Sequence, residues 1–189
     1  AKVKSGHDMS REYKVLSALK NNYKKSPIPL HYCNDINIIG SDFYIMERIR
    51  GTVLRSNNFK KILTTKTEYD FIASEFVDTF VELHKLEIEK IGLSEFGRPV
   101  GYCDRQVKGW TKRYQNSKTH DIPEINFVMD WLNNNIKESP YVSLIHNDFK
   151  YDNLVLDSKT LSVTSVLDWE MCTTGDPFMD LGTTLAYWI

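Results

Sequence analysis

The chain has 189 residues, 41% of them hydrophobic and 26% charged, a composition typical of a folded globular domain and not of a disordered chain. A formal net charge of −1 removes the main electrostatic reason to expect a nucleic acid or an anionic membrane as partner, and no apolar run approaches the ~18 residues of a membrane span. Cys33, Cys103 and Cys172 are widely spaced and odd in number, which favours reduced thiols in a cytoplasmic protein.

The N-terminal part of the chain predicts one helix followed by short strands. Apolar residues recur at three- and four-residue steps between Asp8 and Leu19, which predicts an amphipathic helix. An extended piece follows around residues 30–33, and turn residues then bracket another short strand between positions 34 and 42. The apolar run 43–47 is also β-prone, so we expect the edge of a small antiparallel sheet.

The middle of the chain is predicted to be helical. An amphipathic helix is expected over residues 68–85, and its apolar stripe consists of Tyr69, Ile72, Phe76, Phe80 and Leu83. A second helix is expected over residues 102–115. In a third, Asp121 is the predicted N-cap and Pro123 lies in the first turn. The residues of this third helix that we expect to face inward are Phe127, Trp131 and Leu132.

The last part of the chain returns to β-structure before a final helix. Short β runs cover residues 142–145 and 163–167, with Val155 and Leu156 between them, and the last helix begins near Pro177. A small sheet, a helical body and a β-rich loop region in this order predict an α+β fold and not alternating βαβ units.

Residues 143–155 carry the most informative pattern in the sequence. An apolar strand leads into a polar loop with Asp148, Lys150 and Asn153, and an apolar strand follows. The next β run delivers Asp168 at its end. Two strand ends therefore present carboxylate and amide side chains toward one place.

These residue types suit phosphoryl transfer from ATP, in which a protein mainly positions and neutralises the reacting groups. A carboxylate orients the acceptor hydroxyl, oxygen ligands hold Mg²⁺, and a cation lies near the γ-phosphate. Asp148 can meet the first need, Asn153 and Asp168 the second, and Lys150 the third. A metal-dependent phosphohydrolase could use the same carboxylates, although it would need further His or Asp ligands.

Three motifs appear in order along the C-terminal part of the chain: His146-x-Asp148-x-x-x-x-Asn153, then Leu167-Asp168-Trp169-Glu170, then Gly175-Asp176-Pro177-x-x-Asp180-Leu181. Together they resemble the aminoglycoside phosphotransferase and choline kinase superfamily. The resemblance implies a protein-kinase-like fold that uses ATP and Mg²⁺, with Asp148 as catalytic base and Lys150 near the transferred phosphate. It makes Asn153 and Asp168 the Mg²⁺ ligands, and His146 and Asp180 supports for the loop.

The resemblance extends to the N-terminal part of the chain. Glu12 matches the helical glutamate that pairs with the ATP-binding lysine of kinase-like folds. Residues 43–51 resemble the hinge between two lobes, where the carbonyl of Glu47 and the N–H of Ile49 would meet the adenine edge and Met46 would line the pocket. The implied organisation is a partial N-lobe over residues 1–48 and a mostly helical C-lobe over residues 49–189.

A block in the middle of the chain resembles the phosphotransferase-like domains associated with acyl-CoA dehydrogenases. It consists of Phe96-Gly97-Arg98-Pro99 and Arg105-Gln106-Val107-x-x-Trp110-x-x-x-Tyr114-x-x-Ser117-Lys118-Thr119. The resemblance implies that the acceptor is a hydroxyl of an acyl-CoA, with Arg105, Trp110 and Tyr114 facing the substrate. Residues 97–119 hold six basic residues and one acid, Asp104, which suits an anionic carrier better than a cationic aminoglycoside.

The sequence departs from the family pattern at its start. The ATP-binding lysine and the phosphate-covering loop of the family precede the first helix, and Lys2 and Lys4 lie too close to Glu12 to supply that lysine. We expect that both ends of the chain are cut, because it lacks an initiator Met and ends within an apolar stretch. A non-catalytic, pseudokinase-like binding module and an aminoglycoside-type kinase remain alternatives to the acyl-CoA reading.

Overall fold

The computed structural model describes residues 8–137 and 139–187 and confirms the α+β architecture. Its helices are α1 (Met9–Leu19), α2 (Ile36–Ile39), α3 (Phe59–Ile62), α4 (Lys66–His84), α5 (Tyr102–Ser117), α6 (Pro123–Asn135) and α7 (Pro177–Ala186). Its strands are β1 (Pro29–Cys33), β2 (Phe43–Met46), β3 (Thr52–Val53), β4 (Ser143–Ile145), β5 (Leu154–Leu156), β6 (Val163–Val166) and β7 (Thr173–Gly175). A 3₁₀ turn, Tyr151–Asn153, immediately precedes β5.

The described strands form three small antiparallel sheets, paired as β1–β2, β3–β5–β6 and β4–β7. Gly51 allows the connector after β2 to approach β5 closely, because a Cβ atom there would lie 2.3 Å from the carbonyl oxygen of Leu156. The lobe boundary near residue 48 falls in this connector and stays a prediction.

The expected strand between positions 34 and 42 is wrong, since the structure has the one-turn helix α2 there. The side chain of Asp35 caps this turn by accepting a hydrogen bond from the N–H of Asn37 at 2.9 Å. Gly40 ends it with a left-handed φ of 89°. The same turn residues that separate two strands in the sequence therefore enclose a helical turn.

Helix α4 forms the main wall of the core. It begins with a capping box in which Thr65 and Glu68 exchange hydrogen bonds. The predicted face is buried at Ile72, Phe76, Phe80 and Leu83, whereas Tyr69 is 41% exposed and the prediction for it is wrong. The ring of Phe149 packs against Phe76 and Phe80 with centroid separations of 4.8 and 4.9 Å, which anchors the polar loop after β4 to this core.

The third predicted helix exists as α6, but its start and its apolar face differ from the prediction. Its N-cap is Ile122, without a side-chain cap, because the carboxylate of Asp121 binds Lys118 and Asn126 instead. α6 packs against α5 near the surface, and none of its residues is buried. The residues expected inside are exposed, at 70% for Phe127, 54% for Trp131 and 37% for Leu132.

No helix within residues 8–137 and 139–187 combines the length and apolar character that crossing a bilayer requires.

Candidate active site

One buried carboxylate fixes the backbone of the polar loop that follows β4. Asp180, in the first turn of α7, accepts hydrogen bonds from the backbone N–H groups of His146 at 2.8 Å and Asn147 at 2.7 Å. The same carboxylate contacts His84 Nε2 at 2.9 Å. Asn147 has a left-handed φ of 63°, and the two N–H bonds to Asp180 stabilise that backbone conformation.

His146 links this loop to the loop that carries Asp168. Its Nε2 lies 3.0 Å from the carbonyl oxygen of Leu167, and its Nδ1 accepts the N–H of Asp148 at 3.3 Å. These contacts fit a neutral ring with the proton on Nε2, and complete burial lowers the pKa of His146 in the same direction. His146 and Asp180 therefore make the bracing contacts expected of supports.

Asp148 lies at the centre of a dense set of hydrogen bonds. Lys150 Nζ donates to Oδ1 at 2.9 Å and to Oδ2 at 2.8 Å, and Asn153 Nδ2 donates to Oδ2 at 2.9 Å. The hydroxyl of Tyr187 donates to Oδ1. Burial raises the pKa of the Asp148 carboxyl, but the hydrogen bonds outweigh burial and hold the pKa below its usual value. The side chain is therefore an ionised carboxylate at neutral pH.

Asn153 and Asp168 present oxygen atoms beside this carboxylate. The amide nitrogen of Asn153 donates to the carbonyl and to Oδ2 of Asp148, both at 2.9 Å, which leaves its oxygen available. Asp168 has a left-handed φ of 67°, and its side chain makes no hydrogen bond to any of the described residues. Burial, followed by the charges of Glu170 and Asp148, raises the pKa of Asp168.

The oxygen atoms of Asn153 and Asp168 suit an Mg²⁺ ion that takes further ligands from outside the protein, and not an ion enclosed by protein ligands alone. Excess negative charge around Asp168 favours a divalent cation, and an amide oxygen beside a carboxylate is a ligand pair of the kind Mg²⁺ takes. The described part of the chain holds no cluster of three or more His, Cys, Asp or Glu side chains arranged for a metal. An ion bound by Asn153 and Asp168 would therefore depend on phosphate oxygens for further ligands.

Glu12 points toward the same loop from α1. Its Oε1 accepts the backbone N–H of Trp169 at 3.1 Å, which ties α1 to the residue after Asp168. Burial raises the pKa of the Glu12 carboxyl, although hydrogen bonds from Tyr44 and Trp169 act in the opposite direction. Lys2 and Lys4, whose suitability as a partner the sequence questions, lie outside the described residues.

The predicted hinge residues lie in an open stretch after β2. The N–H of Glu47 donates to the carbonyl of Ile28 at 2.9 Å, and its carboxylate accepts the N–H of Ile28 at 2.8 Å. Within residues 8–137 and 139–187, the Glu47 carbonyl and the Ile49 N–H have no hydrogen-bond partner. Met46 is 39% exposed. The backbone groups that would meet an adenine edge are thus available.

A cavity of about 650 Å³ opens between α5, α7 and the segment after Asp168. Trp110 lines this cavity, and the guanidinium of Arg113 lies 4.6 Å from the centre of its ring. The substrate-side role of Trp110 stays a prediction. Arg105 is not among the lining residues, because its guanidinium donates to the carbonyls of Arg98 and Val100 and fixes the turn before α5.

Tyr114 does not line this cavity either, since its hydroxyl is buried and has no hydrogen-bond partner among the residues the structure describes.

Tyr187 is the site residue that the sequence interpretation missed. It contacts Asp148 across a large separation in sequence and also lines the cavity. A signal was present, because Tyr187 follows Asp180 at a spacing that returns to the same face of the last predicted helix. A residue two turns beyond a bracing aspartate lies over the loop that this aspartate holds.

The fold and this constellation of Asp148, Asn153 and Asp168 define the class of kinase-like phosphotransferases. The model of the phosphotransferase enzyme family matches residues 2–189, and the chain belongs to that family. A crystal structure of a Ralstonia eutropha protein, provisionally named an aminoglycoside phosphotransferase, superposes with a TM-score of 0.86 at 34% identity, over 95% of this chain and 55% of that chain. The streptomycin–ATP ternary complex of APH(2'')-IIa superposes at 0.64 with 21% identity, over 90% of this chain and 57% of that one, which shows the same fold.

The curated relatives are acyl-CoA dehydrogenase family members. Family member 11 from Rattus norvegicus is 40% identical over 176 residues, which are 93% of this chain and 22% of the relative. Family member 11 from Homo sapiens is 38% identical, again over 93% of this chain and 22% of the relative. Family member 10 from Mus musculus is 33% identical over 98% of this chain and 17% of its own length. The chain thus spans about a fifth of these relatives.

Proposed function

We propose that this chain transfers the γ-phosphate of ATP to a hydroxyl group of a small molecule. The observation that carries the proposal is the Asp148 carboxylate, held ionised by Lys150 and Asn153 at 2.8–2.9 Å and hydrogen-bonded to Tyr187, which lines a 650 Å³ cavity. A fixed carboxylate that one side chain links to an acceptor-sized cavity suits a group that takes a proton from a hydroxyl as the phosphorus is attacked.

Each residue of the site has a defined task in this proposal. Asp148 orients the acceptor hydroxyl and accepts its proton, and Lys150 lies beside Asp148 where a cation can neutralise the transferred phosphate. Asn153 and Asp168 would hold Mg²⁺, which when bound neutralises phosphate charge. The free carbonyl of Glu47 and N–H of Ile49 would bind the adenine edge, with Met46 beside them.

We further propose that the acceptor is a hydroxylated acyl-CoA. Trp110 and Arg113 give the cavity an aromatic and cationic wall, which suits an anionic carrier with an apolar acyl chain. The acyl-CoA dehydrogenase relatives support the same chemistry. Not every basic residue in or directly after α5 is available, since Lys108 pairs with Asp104 and Lys118 pairs with Asp121.

The test offers ATP and Mg²⁺ to the complete natural chain together with a panel of hydroxyacyl-CoAs and a panel of aminoglycosides. We expect phosphorylated hydroxyacyl-CoA and loss of the product in an Asp148→Asn variant. Turnover confined to aminoglycosides would refute the acceptor and retain the kinase. Tight Mg·ATP binding without transfer to any acceptor would instead favour a non-catalytic binding module.

The contribution of the cationic cavity wall can be tested in the same assay by comparing two variants that each remove one positive charge. Arg113→Gln should raise the KM for a hydroxyacyl-CoA, whereas Lys118→Gln should leave it unchanged, because Lys118 is paired with Asp121 and is not a lining residue. Equal KM changes in both variants would show that general positive charge, and not the cavity wall, attracts the carrier.

A further inference from the structure

We propose that Tyr187 guards the catalytic base: in the resting protein its hydroxyl occupies the position on Asp148 that an acceptor hydroxyl must take, and it thereby limits transfer to water. This inference rests on the proposed kinase function and assigns a specificity role to a residue outside the three sequence motifs. It follows from the number of donors on one carboxylate and from the presence of Tyr187 in the lining of two cavities.

The Asp148 carboxylate is saturated with donors. An ionised carboxylate offers about four acceptor sites on its two oxygens. Lys150 contacts both oxygens, Asn153 binds Oδ2, and the Tyr187 hydroxyl binds Oδ1. An acceptor hydroxyl can donate to Asp148 only after one of these contacts is released.

Tyr187 is the donor best placed to leave. Asn153 is held by a second hydrogen bond to the carbonyl of Asp148, and Lys150 bridges both carboxylate oxygens. Tyr187 instead follows the last residue of α7, is 49% exposed, and reaches Asp148 through its hydroxyl alone. Its ring also lies 4.8 Å from Lys150 Nζ. Rotation of its side chain would break the bond to Asp148 and this ring contact, while the hydrogen bonds to Asp180 that brace the loop would remain.

Tyr187 lines two cavities. One is the 650 Å³ cavity that Trp110 lines, and the other, of about 410 Å³, is lined by Leu54, Phe59 and Tyr151. Tyr187 lines both, whereas Asp148 is among the lining residues of neither. An acceptor large enough to displace the ring would therefore reach Asp148. A water molecule is too small to displace the ring and would not reach Asp148 in this way.

The reaction that Tyr187 limits is hydrolysis of ATP. In that reaction a water oxygen bonds to the γ-phosphorus while the bond from phosphorus to the ADP oxygen breaks, and the water proton passes to Asp148. The products are ADP and inorganic phosphate. With the tyrosine hydroxyl on Oδ1, water finds no free acceptor site on the base.

The decisive variant is Tyr187→Phe in the complete natural chain, which removes the hydroxyl and keeps the ring. We expect ATP hydrolysis without acceptor to rise roughly tenfold, the factor by which a hydrogen bond to a charged group can favour the guarded state. The KM for the acceptor should fall, because the acceptor no longer competes with the phenol. Tyr141→Phe is the matched control, since Tyr141 is 66% exposed and lies outside both cavities.

Two results would contradict the proposed role of Tyr187. If Tyr187→Phe lowers kcat for transfer and leaves hydrolysis unchanged, Tyr187 orients the base and does not shield it. If a crystal structure of the nucleotide-free protein shows the Tyr187 hydroxyl away from Asp148, the guarded state does not exist, and this readout needs no turnover. Failure of the kinase proposal is recognised separately, because the wild-type protein would then transfer no phosphate from ATP to any acceptor or to water.

Discussion

The loop around Asp148 and the hairpin formed by α5 and α6 differ in what holds them in place. The loop is fixed by buried polar contacts, above all the two backbone N–H groups that bind Asp180. The hairpin leaves Phe127 and Trp131 exposed, and its ion pairs lie at the surface. If the loop positions phosphate and proton as proposed, it needs the first kind of support, whereas a surface that binds a variable acceptor would tolerate the second.

The largest expected effect within the loop region is on nucleotide binding. Asp168→Ala should abolish Mg²⁺-dependent binding of ATP, because the ion would lose its carboxylate ligand. Isothermal titration calorimetry with Mg·ATP measures this directly, with Asp130→Ala on the exposed side of α6 as the control. Unchanged Mg·ATP affinity in the Asp168 variant would argue for a packing role and not a metal-binding role.

The next effect concerns the stability of the loop itself. Asp180→Ala leaves two backbone N–H groups and His84 without their buried partner, so the free energy of unfolding should fall by about 3–5 kcal/mol. Asp180→Asn should lose less, because its amide oxygen still accepts one of these bonds. Urea denaturation compares both with Asp70→Ala, which removes only an exposed pair with Lys66 and should cost less than ~1 kcal/mol. A loss below that level for Asp180→Ala would contradict the bracing role.

The smallest effect is expected on the hairpin. Phe127→Ser and Trp131→Gln should each change the free energy of unfolding by about 0.5 kcal/mol or less, since both side chains are largely exposed. Phe80→Ser in α4 is the comparison within the core and should be strongly destabilising. If Phe127→Ser or Trp131→Gln lowered the free energy of unfolding as much as Phe80→Ser does, these residues would have to pack against a partner in solution.

Sequence patterns predicted the regular, buried parts of the molecule well. The buried face of α4 and the strand–loop–strand segment around Asp148 follow from apolar periodicity and from polar residues at strand ends. Residue chemistry offered Asn153 and Asp168 as candidate Mg²⁺ ligands and the family resemblance assigned them that role, which periodicity alone cannot supply. In the structure Asn153 is hydrogen-bonded to Asp148, and the charge of Asp148 raises the pKa of Asp168; the metal-binding role of both residues stays a prediction.

The errors have a common physical cause, which is that local patterns do not show which neighbour an element meets. Trp131 has helical spacing, but α6 packs at the surface beside α5 and buries none of its residues. Asp35 and Gly40 suit both a turn and the caps of the short helix α2. The spacing of Tyr187 from Asp180 indicates a shared face of the last helix, but the contact with Asp148 also depends on how α7 packs beside the loop.

The most direct test of the central claim is the rate of phosphate transfer by Asp148→Asn in the complete natural chain. Asparagine keeps the shape of the side chain but cannot accept the proton, so kcat should fall by roughly 10²–10⁴-fold while the protein stays folded. Asp70→Asn provides a matched carboxylate-to-amide control on the exposed face of α4. Transfer at the wild-type rate by Asp148→Asn would contradict the assignment of Asp148 as the base.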